Sequence, residues 1–288
     1  MRRPNRSITV RLAVAVGVVL ALALTPLGVA TAAVSPGPAA SNTSAGVSTR
    51  IIGGQAANRI DTPWFVQLLV SMPDGNAYDC GGTAISAHWV LTAAHCVDSK
   101  QGTANTGIGA TALFVNPAVA DTGPHLWIDR VVVHRNYRPD SSTARYDVAL
   151  IHTNSDLGTS YLPVARSTIR PLRGQAVIAY GFGLTSRDGD TSTYLKQVTL
   201  RDLSGPKKGA RCGRYTNFNS WYSECVGVTR GRKGACFGDS GGAIVAVVYG
   251  VRRIVGIDSS AVDCASTRYP EWATRVSSFA PWISRNAT

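Results

Sequence analysis

An all-β domain, built as a barrel or a sandwich, is the fold class this sequence predicts, and three observations predict it. Short segments rich in branched and aromatic residues recur along the chain, Gly, Pro, Asn, Asp and Ser punctuate the gaps, and a helical pattern is confined to the end, near Ser277–Ser284. The segments are Trp64–Val70, Trp89–Ala93, Trp127–His134, Asp147–His152, Ala176–Tyr180, Tyr194–Leu200, Ala243–Tyr249 and Arg253–Ile257. Their side chains fit a pleated, half-buried surface. The last two, joined around Gly250, read as a hairpin. Lys100–Pro124 has little periodicity and reads as loop and edge strand, and no internal repeat is visible.

The amino-terminal region has another character. Arg2, Arg3, Arg6 and Arg11 precede or open an apolar run, Leu12–Leu24, followed by Pro26, small residues and an Ala30-Thr31-Ala32 cleavage candidate. A basic start, a short apolar run and a small-residue site define a secretory signal peptide, here residues 1–32. The run is shorter than the roughly 20 residues a membrane span requires, so no anchor is expected. Residues 33–50 are rich in Ala, Ser, Gly, Pro and Thr, contain no acidic residue and cannot build a core. They read as a propeptide ending at Arg50, ahead of Ile51-Ile52-Gly53-Gly54. Residues 51–288 are long enough for a sizeable core.

Charge and cysteine content narrow the function classes. The chain carries a formal net charge of +12, with basic clusters at Lys207–Arg211, Arg230–Lys233 and Arg252-Arg253. No aromatic-basic pattern accompanies them, so they read as solvated surface and no nucleic-acid partner is expected. Six cysteines behind an export signal point to disulfides, although the residues alone leave the pairing open. No Cys-x-x-Cys pair accompanies a histidine pair and no acidic loop stands out. No metal and no cofactor are expected.

Gly238-Asp239-Ser240-Gly241-Gly242 and Ala93-Ala94-His95-Cys96 carry the chemistry. A serine hydroxyl is a poor nucleophile near neutrality and needs an adjacent base and donors for the oxyanion it creates. Glycines around Ser240 let the backbone turn sharply, so that the Gly238 and Ser240 N–H groups can point at one carbonyl oxygen. His95 is the candidate base, and Asp147, in Tyr146-Asp147-Val148-Ala149-Leu150, is the candidate partner for its ring. Taken singly, the serine motif is also a polar turn and Asp147 a strand-edge carboxylate.

Together with Ile-Ile-Gly-Gly at 51, the ending Ala280-Pro281-Trp282-Ile283 and the chain order His, Asp, Ser, these motifs resemble the chymotrypsin-fold, trypsin-like serine proteases over residues 51–288. The resemblance implies two six-stranded antiparallel Greek-key β-barrels, roughly 51–160 and 161–276, and a helix at roughly 277–285. It implies a secreted, monomeric serine endopeptidase acting on protein or peptide substrates through an acyl-enzyme. Ser240 would attack, His95 would move the proton, Asp147 would hold the imidazole, and Gly238 and Ser240 would form the oxyanion hole. Ser259 would lie beside the triad and offer its carbonyl to substrate. Cys80 would pair with Cys96, Cys212 with Cys225 and Cys236 with Cys264. Cleavage after Arg50, by another protease or by a second copy, would free an Ile51 ammonium to pair with Asp239.

The specificity pocket departs from that template. Where trypsins place an aspartate there is Gly234, followed by Ala235; the far wall reads Ser259-Ser260-Ala261 after Asp258, and Glu271-Trp272 follows Pro270. Phe237 is expected at the mouth. Either a pocket carboxylate restores a preference for Lys or Arg, or Glu271 and Trp272 fill or reshape the slot and leave small or uncommon residues preferred. A protease-shaped binding protein with impaired catalysis is the competing function, and an esterase using the same serine is a third. Arg50→Gln is expected to be exported as a precursor without peptidase activity; full turnover of a peptide substrate by that uncleaved variant would refute the switch.

Overall fold

The structure is a computed structural model that describes residues 51–71, 76–98, 111–139, 145–204, 212, 218–229, 232–260, 263–266 and 268–288. The expected signal peptide and propeptide, with Arg50, lie outside the described residues, as do Ala261 and the side chain of Ser260.

In chain order the strands are β1 (Gln55–Ala56), β2 (Phe65–Ser71), β3 (Ala77–Ala84), β4 (Trp89–Thr92), β5 (Thr111–Val115), β6 (His125–Leu126), β7 (Ile128–Val133) and β8 (Ala149–Thr153). They continue as β9 (Ala176–Gly181), β10 (Lys196–Asp202), β11 (Ser223–Gly227), β12 (Ala243–Val248), β13 (Val251–Ser260) and β14 (Glu271–Arg275), and the helix α1 (Val276–Asn286) ends the chain. One antiparallel sheet has the order β6-β5-β2-β3-β4-β8-β7, and the other β1-β10-β11-β14-β13-β12-β9. In the second, β9 also pairs with β10, so six strands close into a ring and β1 attaches outside it. The seventh strand of each sheet is a two-residue addition, β1 or β6.

All eight segments expected as strands are strands, within a few residues at their ends. The β12–β13 hairpin turns through Tyr249 and Gly250, both at positive φ, the turn geometry that matches strand twist. Besides the two-residue β1 and β6, the sequence pattern missed β3, β11 and β14. In β3, Gly81-Gly82 hides the strand, and in β11 and β14 every residue is buried, the polar ones included, so no alternation marks them.

One apolar cluster runs across both sheets, and a second lies on the side of the second sheet. Phe65, Leu68, Leu91, Leu113, Leu150 and Ile151 are fully buried from the first sheet, and Leu200, Ile244, Ile254 and Trp272 from the second. Burial of each such side chain is worth about 1.5–3 kcal/mol. Helix α1 lays Val276, Phe279 and Ile283 inward on one face and leaves Pro281 exposed.

Just before α1, Arg275 donates through Nε to Glu224 Oε1 at 2.7 Å and through a terminal nitrogen to Oε2 at 2.9 Å, with both residues nearly fully buried. Ser204 Oγ donates to the same Oε2 at 2.8 Å and accepts from the Cys225 N–H at 2.9 Å. Removing one partner leaves a buried charge without its counterion, which costs about 3–5 kcal/mol. Glu224→Ala, measured by urea unfolding in a Ser240→Ala background, is expected to lower stability by about that amount without changing the denaturant slope.

Candidate active site

His95 lies in a single 3-10 turn, Ala94–Cys96, immediately after β4, and the Cys80–Cys96 disulfide ties that turn back to β3. Asp147 sits just before β8 and is fully buried. Tyr146 is held at φ +56, uncommon for a non-glycine residue, with its ring stacked on His134 and Tyr222 at 5.4 and 4.8 Å. That turn aims Asp147 inward. Its Oδ1 accepts the His95 backbone N–H at 2.9 Å, and its Oδ2 lies 2.7 Å from His95 Nδ1. Ser259 Oγ donates to Oδ2 at 2.6 Å, and Thr274 Oγ1 donates to the Asp147 carbonyl at 2.8 Å.

Burial pushes the Asp147 carboxyl up, but the charge and hydrogen bond of His95, the Ser259 hydroxyl and the His95 amide outweigh it and hold the group below the usual range. Burial works to lower the His95 ring, and the charge and hydrogen bond of Asp147, with a contribution from Asp258, reverse that and raise it above 6.5. With the Nδ1 proton directed at Asp147, the lone pair of neutral His95 resides on Nε2.

Ser240 belongs to the loop between Cys236 and β12. The loop is fixed by main-chain bonds: Asp239 N–H to Cys236 O at 3.0 Å, Gly242 N–H to Asp239 O at 3.0 Å and Gly241 N–H to Asp258 O at 2.7 Å. From the first sheet, the Gly81 N–H donates to Ser240 O at 2.6 Å, and a Cβ on Gly81 would lie 2.7 Å from Gly242 Cα. Only a glycine permits that approach. Gly238 has φ +94, and among the described residues neither its amide nor that of Ser240 has a protein acceptor. His95, Gly238 and Ser240 line one cavity of about 370 Å³ with Ala235, Phe237, Asp258, Ser259 and the Cys236–Cys264 disulfide. No hydrogen bond joins Ser240 Oγ to His95 among the described residues, a looseness usual where no substrate is bound.

Asp239 points away from the cavity and is buried, its Oδ1 accepting from Gly183 N–H and its Oδ2 from Cys236 N–H, both at 2.9 Å. Burial, with the charge of Asp258 adding to it, pushes this carboxyl up to about 7. Ile51 is buried among Val177, Val198 and Ile244, and Ile52 bridges to Gly234, whose N–H donates to Ile52 O at 3.0 Å.

The pocket side holds both altered acids. Gly234 does not line the cavity; a Cβ there would collide with Glu271 Oε1. Trp272 does not fill the slot: it turns to the opposite face of β14 and packs edge-on against Phe218 at 5.4 Å in the core. Phe237 is 69% exposed at the mouth. Ser260 contributes its backbone to β13, opposite Trp272. Cys212 pairs with Cys225, and Cys212 Sγ lies 3.7 Å from the Glu271 carbonyl oxygen. Cys80 and Cys96 approach His95 closely, but each sulfur is consumed by their mutual bond and offers no thiolate to a metal.

Sequence reasoning missed Asp79, which lines the cavity; Gln67 Nε2 donates both to it, at 2.8 Å, and to Asp121, at 2.9 Å. The signal was its place beside Cys80, whose bridge leads to the neighbour of His95.

Comparison with known proteins adds to this geometry. The Trypsin family model matches residues 51–283. Chymotrypsin-like elastase family member 1 of Felis catus is 31% identical over 250 residues, covering 82% of this chain and 89% of that protein. Kallikrein 1-related peptidase b27 of Mus musculus is 29% identical over 251 residues, with 82% and 89% covered. Transmembrane protease serine 11E of Mus musculus is 31% identical over 251 residues, 83% of this chain but only 55% of the relative. No described helix is long and apolar enough to cross a membrane.

The geometry fixes an expected titration. By nitrogen NMR, the His95 imidazole should titrate with a midpoint above 6.5, and Asp147→Asn should bring that midpoint down.

Proposed function

We propose, for a chain that belongs to the trypsin family and is a serine endopeptidase, that peptide hydrolysis runs through Ser240, His95 and Asp147 in an exported zymogen opened by cleavage after Arg50. The observation that carries this reading is the buried Asp147 carboxylate bonded to His95 Nδ1 at the edge of a cavity that Ser240 also lines. That arrangement leaves a basic Nε2 for a hydroxyl that lines the same cavity. Ser240 Oγ attacks the scissile carbonyl as Nε2 takes its proton. Asp147 keeps the ring in the required tautomer and offsets the imidazolium charge. The Gly238 and Ser240 amides receive the oxyanion, and His95 then returns the proton to the leaving amine. Water repeats the cycle on the acyl-enzyme.

Activation follows from the other side of the same loop. Asp239 is buried with two amide donors and, among the described residues, in no ion pair with a cationic side chain. Ile51 is already buried nearby in sequence to the strand-like bridge at Gly234. A freed Ile51 ammonium would supply the missing counterion and lower the Asp239 carboxyl from about 7, locking the Gly238–Ser240 backbone.

Catalysis requires neutral His95, so kcat/KM should fall as pH drops through the raised His95 ionisation. A peptidyl organophosphonate should attach to Ser240 after cleavage at Arg50 and neither before it nor in Ser240→Ala, as read by mass spectrometry. Asp147→Asn should lower kcat about 10⁴-fold. Absence of labelling in the processed protein would overturn the assignment.

A further inference from the structure

The acids gathered behind Ser240 contrast with the rest of the molecule. The chain is basic, with net charge +12, yet among the described residues no lysine or arginine lines the cavity. Its titratable lining side chains are Tyr78, Asp79, His95 and Asp258. Asp258 pairs in register with Ala273, so it shares a sheet face with Glu271, two residues along β14. Glu271 is 3% exposed; the Ala235 N–H bonds to its carboxyl, Oε1 crowds Gly234, and Oε2 is buried without a hydrogen-bond partner. A buried carboxyl oxygen with nothing to accept is destabilising in the resting fold. It is also an acceptor waiting beneath the cavity floor.

The surroundings of this pair are mostly anionic. Asp239 approaches from the nucleophile loop, Asp147 from just before β8 and His95 from the turn after β4; among these described groups only His95 is of opposite sign. Burial pushes Asp258 up to about 7, against the favourable charge of His95 and the Ser259 amide. Burial and then the charge of Asp258 push Glu271 well above the usual carboxyl range. At rest both shifts favour neutralisation by protons. A guanidinium or ammonium entering from the cavity provides the same neutralisation and displaces a proton into solvent.

We propose that Asp258 and Glu271 together form a cation site that selects lysine or arginine on the acyl side of the scissile bond, in a chain where residue 234 is glycine. The inference rests on the catalytic reading of Ser240 and names the substrate class of that site. Binding becomes stronger as pH rises through the ionisation of the pair. The balance is simple: carboxyl plus side-chain cation gives a carboxylate–cation pair and one free proton.

The test compares peptides identical except for arginine, citrulline, lysine, glutamine or leucine before the cleaved bond, using the processed full chain. Citrulline keeps the shape of arginine without its charge. Arginine should exceed citrulline by about 10-fold or more in kcat/KM at pH 8, and by less at pH 6. Asp258→Asn and Glu271→Gln should each shrink that ratio. A second measurement on the unaltered protein needs no variant to fold: benzamidine binding, followed by calorimetry near pH 7 in two buffers of different ionisation enthalpy, should release a proton. His95 is common to all three proteins, so proton release undiminished in Asp258→Asn overturns the proposal. Equal turnover of arginine and citrulline, or a preference for leucine, overturns it too, and leaves the catalytic reading standing if the phosphonate still labels Ser240. No labelling overturns both.

Discussion

A carboxylate with no access to solvent cannot stay charged unless donors surround it, and that constraint on Asp147 organises the catalytic half of this molecule. Its donors come from elements far apart in the chain: the amide and ring of His95 from the turn after β4, and the hydroxyl of Ser259 from β13. Thr274 of β14 holds the Asp147 carbonyl. One buried charge thus draws on both sheets, and the strands can deliver those donors only in a single register. The unusual backbone at Tyr146 is offset by its stacked neighbours and by the placement of that charge.

The same principle separates the acids around the cleft. Asp147 has donors in plenty and remains anionic. Asp239 has two amides and is left partly protonated near neutrality; Glu271 has one amide, and one oxygen with none. The order of donor supply is the order in which these groups hold their protons. Catalysis, activation and substrate choice are consequently assigned to chemically similar side chains that differ in what surrounds them.

Much of this was legible in the residues. Apolar, branched segments between turn formers marked eight strands, because those strands bury aliphatic side chains, and the hairpin at Gly250 was readable from its turn. The motifs around His95, Asp147 and Ser240 marked the family, now matched over residues 51–283. What escaped notice was polar and buried: β11 and β14 as strands, whose Glu224 and Arg275 look like surface residues until their partners are known. The orientation of Trp272 was equally invisible, since its side of β14 is fixed by a register that only the assembled sheet defines. Asp79 was missed because its importance comes from a disulfide-mediated neighbourhood and not from any pattern of its own.

Where β3 meets the nucleophile loop, the contact is main chain on main chain, Gly81 against Gly242, with an amide of one held by the carbonyl of Ser240. A junction made of backbone atoms has dimensions that no rotamer can alter. Side chains elsewhere can therefore drift while the junction between the two halves of the machinery keeps its span, which is compatible with relatives that share only about three residues in ten with this chain.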